Sequence, residues 1–197
     1  MWATRVLFAI WAVAGAACGV IGAGDALTDA QQVIADIKIA PADAKGVVQK
    51  PGDLAISAAA DRAGRGYRVG EPIALSVTVN RAAFVAVLRV LPNGAATLLF
   101  PNRRQPSAQV PAGVPLRLPE PGGPVIAAAD KPGAELFEFI ASTRGNSWLF
   151  HRKPEPPGDF AEFGTTTREV ARDIVRSLRG ASGSSAAAHL VLRVDGD

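Results

Sequence analysis

Few residues in this chain have the types and spacing that chemistry needs. The two histidines, His151 and His189, form neither an H-x-H nor an H-E-x-x-H pattern, so no metal centre is expected. The single cysteine, Cys18, lies in an N-terminal apolar segment. The rest of the chain therefore offers no thiolate nucleophile and no disulfide. No G-x-S-x-G elbow occurs; Gly180-Ala181-Ser182-Gly183 is a near miss inside a Gly/Ser connection. The carboxylates are scattered. Asp61, Glu71 and Glu138 could converge in the fold, but a hydrolase needs paired carboxyl groups at a set separation in a cleft. Gly64, Gly66 and Gly70 run as G-x-G-x-x-x-G, off the dinucleotide pattern. The expectation is no catalytic, cofactor-binding or metal-binding residues, no cofactor, and a protein that is not an enzyme. An envelope hydrolase with an unrecognised site is the alternative.

Two clusters have the chemistry of binding instead. Arg62, Arg65, Tyr67 and Arg68 put three cations and an aromatic ring into residues 61–70. They read either as a contact for an anionic partner or as the solvated face of a flexible connection. Residues 145–158, GNSWLFHRKPEPPG, bring Trp148 and Phe150 beside Arg152 and Lys153. They read either as an apolar-plus-basic binding lip, as at a membrane surface, or as cover for the core with the basic groups turned out.

The elements that must hold these clusters are strands. In residues 73–80, Ile73, Leu75, Val77 and Val79 alternate with Ala74, Ser76, Thr78 and Asn80, the period of a strand with one buried face. Residues 84–90 are apolar on both faces, which predicts a central strand. Leu91-Pro92-Asn93-Gly94 is a turn, and residues 95–100 return as the hairpin partner. Residues 54–60 read as a first strand. Residues 108–110 and 114–118 read as short edge strands, because proline flanks them. Residues 125–129, 135–143 and 187–194 complete the set. In 135–143, Phe137, Phe139 and Ala141 share one face and Leu136, Glu138 and Ile140 the other.

Residues 165–179 predict a helix. Thr166 and Glu169 have capping-box spacing, Val170, Ile174 and Leu178 form an apolar row, and Arg168, Arg172 and Arg176 lie opposite. Many short strands at close turn spacing give the expected fold class. It is mainly β, an immunoglobulin-like β-sandwich-type domain with one C-terminal amphipathic helix and a final strand.

Outside that domain the chain divides simply. Residues 1–24 read as a signal peptide, with Arg5 before an apolar run and small residues after it. Gly15-Ala16-Ala17-Cys18 also resembles a lipobox, which makes Cys18 a possible lipidation site and a membrane-anchored lipoprotein the alternative. Residues 25–52 are a partly flexible lead-in, and residues 53–197 form one β-rich domain. The net charge of +3 does not call for nucleic acid. The expected setting is periplasmic or secreted. The expected partner is another envelope protein, with possible membrane-surface contact.

Tyr67-Arg68-Val69-Gly70-Glu71-Pro72-Ile73, then Pro92-Asn93-Gly94 and Leu98-Leu99-Phe100-Pro101-Asn102, resemble the bacterial domain family DUF4384. Val110-Pro111-Ala112-Gly113, Leu116-Arg117-Leu118-Pro119 and Pro132-Gly133-Ala134-Glu135 fit its later segments, so the resemblance spans residues 55–142. It implies a β-rich domain, often in exported proteins, and no agreed catalytic residues. The function expected is a non-catalytic binding or assembly module of the cell envelope.

Overall fold

A computed structural model describes residues 54–62, 65–144, 159–163 and 184–196. The chain is mainly β. Its strands are β1 (Ile56–Ala60), β2 (Tyr67–Arg68), β3 (Pro72–Ile73), β4 (Leu75–Val79), β5 (Ala83–Val90), β6 (Ala96–Phe100), β7 (Gln109–Val110), β8 (Leu116–Leu118), β9 (Ile126–Ala127), β10 (Gly133–Ser142), β11 (Ala161–Phe163) and β12 (Ser185–Asp195). The signal peptide over 1–24, the lead-in over 25–52, the lip over 145–158 and the helix over 165–179 lie outside the described residues. So do Cys18, Trp148, Phe150, Arg152 and Lys153.

The strands form two main sheets. A three-stranded sheet has the order β1-β4-β8, and a seven-stranded sheet runs β11-β6-β5-β10-β12-β2, with β7 pairing the start of β5. β3 and β9 make a separate two-stranded ladder. All pairs are antiparallel except β12 with β2. The longest ladder joins β10 to β12 from Gly133↔Val194 to Ser142↔Ser185.

Burial follows the alternation in the sequence. Leu75, Val77 and Val79 of β4 are buried while Ser76 and Thr78 are half-buried. They meet Val85, Val87, Phe137, Phe139, Leu190 and Leu192 of the large sheet in one core shared by both sheets. Burying each large aliphatic or aromatic side chain there stabilises the fold by about 1.5–3 kcal/mol. On the other face of the large sheet, Ala86, Leu88, Leu98, Ile140 and Phe163 form a second cluster. β5 and β10 are therefore covered on both faces, as their two-sided apolar pattern requires.

The β5–β6 hairpin closes as its residues dictate. Gly94 N–H donates to Leu91 C=O at 2.8 Å, and Asn93 Oδ1 accepts from Ala95 N–H at 2.9 Å. Gly94 has φ of 82°, a conformation that costs glycine little. The register then shifts, with Val87 opposite Phe100 but Leu88 opposite Leu98. This bulge turns both Leu99 and Phe100 into the shared core while Leu98 faces the second cluster.

One expected strand divides. The alternation over 73–80 predicts a single strand, but the chain breaks at Ala74 and changes partner. Ile73 pairs with Ile126, whereas Leu75 pairs with Ala60 and Leu118. The cause is Asp61, whose Oδ1 takes the Ala74 N–H at 3.0 Å in place of a strand carbonyl.

Candidate functional site

The basic stretch over 61–71 is tied down by its own side chains. Asp61 Oδ1 accepts the Tyr67 hydroxyl at 2.6 Å and the Ala74 N–H at 3.0 Å. The Tyr67 oxygen in turn accepts Arg62 N–H at 3.3 Å. The Arg62 guanidinium lies 5.2 Å from the Tyr67 ring centroid and donates to Glu71 Oε2 at 2.6 Å. The same Glu71 oxygen accepts Arg68 N–H at 2.9 Å, across the turn where Gly70 takes φ of 74°. Glu71 thus holds the turn that enters β3.

These contacts shift the ionisable groups. Burial, then the bond to Asp61, pushes the Tyr67 phenol up to about 12. Burial works to raise the Asp61 pKa, but the Tyr67 and Ala74 bonds outweigh it and the carboxyl falls below its ordinary value. The bond from Arg68 N–H lowers Glu71, helped by Arg62.

One expectation is corrected here. Tyr67 is completely buried in the shared core, so its ring is not available to a partner. Arg62 is half-buried and engaged by Glu71, which leaves Arg65 and Arg68 as the exposed cations of this stretch. Alternating aromatic and basic residues look alike whether the ring points in or out. The signal that decides is Asp61, an acceptor placed to receive a buried hydroxyl.

A second clasp was not legible as a site. Glu135 is fully buried, and its Oε2 accepts from Arg89 Nε at 2.7 Å. Its Oε1 accepts the Ala129 N–H, and Arg89 Nη2 donates to Ala127 C=O at 2.7 Å. The pair bridges β5 and β10 and fastens β9 to the large sheet. The two residues are far apart in sequence, and only the β5–β10 register brings them together.

Glu138 stands apart from both clasps. It is on the opposite face of β10 from Phe137 and Phe139, across from Leu88 on β5 and His189 on β12. Among the described residues neither carboxyl oxygen has a hydrogen-bond partner, and burial raises its pKa well above the ordinary range. Burial also lowers the pKa of His189. Asp61 and Glu71 share one cluster through Tyr67 and Arg62, while Glu138 lies in the other face of the large sheet. The three carboxylates do not converge. No cluster of metal-ligating side chains occurs among the described residues.

The sheet edges differ sharply. At the ends of the β1–β4 ladder, Asn80 N–H donates to Ala55 C=O at 3.1 Å and Asp61 N–H to Ala74 C=O at 2.9 Å. Hydrogen-bonded pairs recur at every second residue of an antiparallel ladder. Ser57 and Ala59 therefore also bond toward β4, and Ile56, Ala58 and Ala60 turn their N–H and C=O groups away from it. Among the described residues no strand pairs with that side. On the far side of β4, Gly113 N–H donates to Val79 C=O at 2.8 Å, which sets the same phase for Val77↔Leu116 and Leu75↔Leu118. The outward positions of β8 are then 115, 117 and 119. Pro115 and Pro119 have no N–H, and Arg117 carries a charge. Among the described residues β8 is a blunted edge and β1 is an open one.

Next to β8 is a groove of about 320 Å³ walled by Phe100, Val110, Val114, Leu116 and flanking prolines. Gln105 also lines it, and its buried side-chain oxygen has no hydrogen-bond partner among the described residues.

These features define a mainly β domain whose polar clusters are structural clasps and whose small sheet has, among the described residues, one open edge. Residues 66–145 match the family described as Domain of unknown function (DUF4384). No curated protein and no solved structure matches the chain. The residues that carry the resemblance have structural jobs. Tyr67, Gly70 and Glu71 form the first clasp. Asn102 ends β6 by donating to Leu99 C=O at 3.0 Å and accepting from Gln105 N–H at 2.8 Å.

Proposed function

We propose that this chain is an exported bacterial cell-envelope protein. Its immunoglobulin-like β-sandwich, completed by a C-terminal amphipathic helix over 165–179, acts as a non-catalytic binding or assembly module. The partner joins by strand addition along β1. One observation carries this reading: the outward N–H and C=O groups of Ile56, Ala58 and Ala60 are unpaired among the described strands, on an edge with no charge and no proline. The other edges are poorer templates. β8 is closed by its prolines, and β2 and β11 are only 2 and 3 residues long. An extended segment laid beside β1 would gain main-chain hydrogen bonds there, each with a net value of about 1 kcal/mol.

Export is supported by the sequence of residues 1–24, in which a short basic start precedes an apolar run and small residues. Arg65 and Arg68 are exposed beside the end of β12 and add a weakly basic flank there.

The test is crosslinking in cells. A photoreactive residue at Ser57, in the chain expressed with its native N-terminus, should capture a protein partner in the envelope fraction. Ala58→Pro should abolish the capture. It removes only an outward N–H, a change that an edge strand tolerates. Intact mass from the same preparation reads the processing of the N-terminus and whether Cys18 carries acyl chains. An unprocessed chain in the cytoplasm would refute export, and no capture at Ser57 would refute strand addition.

A further inference from the structure

The open edge of β1 is complementary to itself. The outward residues Ile56, Ala58 and Ala60 are spaced symmetrically about Ala58. Two antiparallel copies related by a two-fold axis at Ala58 would set Ile56 against Ala60, Ala58 against Ala58 and Ala60 against Ile56. Each of these pairs would exchange both of its main-chain hydrogen bonds. The intervening residues, Ser57 and Ala59, are exposed and small, so each would meet the other across the axis without a clash. Nothing in Ile-Ser-Ala-Ala-Ala is charged, so self-pairing brings no like charges together. The nearest acid, Asp61, is already occupied by Tyr67 and Ala74.

We infer that the strand added to β1 is the β1 strand of a second copy of this chain. The two three-stranded sheets then join into one continuous sheet ordered β8-β4-β1-β1-β4-β8. This rests on the reading of β1 as the docking edge and names its partner. The geometry is closed, because a two-fold antiparallel pairing uses up both open edges and leaves the prolines of β8 at the outer rims. Proline at the rims and a neutral small-residue strand at the centre is the distribution of an edge that stops at a dimer. With a strand this short, the contact belongs to the weak, reversible size class.

The register gives a test that does not depend on stability. Residues 57 and 59 of opposite copies form non-hydrogen-bonded pairs, with the close Cα separation that a disulfide accepts. In a Cys18→Ser background, mixing Ser57→Cys chains with Ala59→Cys chains should give a mixed disulfide dimer, and neither variant alone should crosslink efficiently. In sedimentation equilibrium the purified full chain should approach twice the monomer mass as concentration rises. Ala58→Pro should weaken that association by at least about tenfold. A monomer at every concentration, or a dimer indifferent to Ala58→Pro, would overturn the inference. If the chain stays monomeric while Ser57 crosslinks in cells to a different protein, self-pairing is wrong and strand addition at β1 stands. If neither occurs, both fall.

Discussion

Tyr67 donates its phenolic hydrogen to Asp61 Oδ1 at 2.6 Å, from a ring completely buried in the core between the two sheets. That bond fixes the connection from β1 to β2 and, through Asp61, the break between β3 and β4. Tyr67→Phe keeps the ring and removes the donor. Urea denaturation should show a loss of about 1.5–3 kcal/mol, the range for a hydrogen bond to a charged group.

The same pair fixes two pH responses. Tyr67 is the only tyrosine, so absorbance of the tyrosinate reads it directly. Its pKa is raised from 10.0 to about 12 in the folded chain. The stability it contributes is full below pH 10.0 and is lost as pH rises toward about 12. The titration midpoint should lie near 12, and ionisation near the ordinary phenol value of 10.0 would contradict the bond. Asp61 has the opposite sign. Its pKa is lowered from 3.8, so its contribution is present above that pH and is lost as pH falls below it. Wild type and Asp61→Asn should converge in stability in strong acid.

Glu138 is the group whose replacement should help. Among the described residues its buried oxygens have no hydrogen-bond partner, and its pKa is raised well above 4.5. A raised folded pKa means a contribution that is present below 4.5 and is lost as pH rises through the folded value. Glu138→Leu should therefore stabilise the chain at neutral pH by about 1–3 kcal/mol, the cost of an unsatisfied buried acceptor. The gain should shrink as pH falls toward 4.5. Thermal melts across pH check both statements.

Glu135 and Arg89 should behave as a unit. Glu135→Ala leaves a guanidinium that is only 12% exposed without its carboxylate, a change expected to cost about 3–5 kcal/mol. Arg89→Ala should cost a similar amount. The double variant should cost much less than the sum in a double-mutant cycle. Amide exchange in β9 should rise in all three, because Arg89 and Glu135 hold Ala127 and Ala129.

Much of this fold is legible in local pattern. The alternation at Leu75, Val77 and Val79, the two-sided apolar run of β5 and the Phe137/Phe139 face of β10 each report burial residue by residue. So does proline: Pro111, Pro115 and Pro119 place β7 and β8 at edges before any pairing is known. What is not legible depends on register. Arg89 reads as an ordinary outward residue until the β5–β10 ladder sets it beside Glu135. The division at Ala74 is hidden because Asp61, which causes it, acts from just beyond the end of β1 through a side chain. Tyr67 reads as a surface aromatic among arginines because period alone does not say which face is inside. The open edge of β1 is the least legible feature. Which amides point outward is decided by bonds at Ala55 and Asp61, not by the composition of the strand.

The central claim is that Ile56, Ala58 and Ala60 present free main-chain groups for a partner strand. Residue-resolved amide exchange by NMR tests it most directly. In the dilute chain, Ala58 N–H should exchange fast while Ser57 and Ala59, bonded to β4, exchange slowly. At high concentration, Ala58 should become as protected as its neighbours. Ala58 protected already in the dilute monomer, or unprotected at every concentration and in the presence of envelope extract, would contradict it.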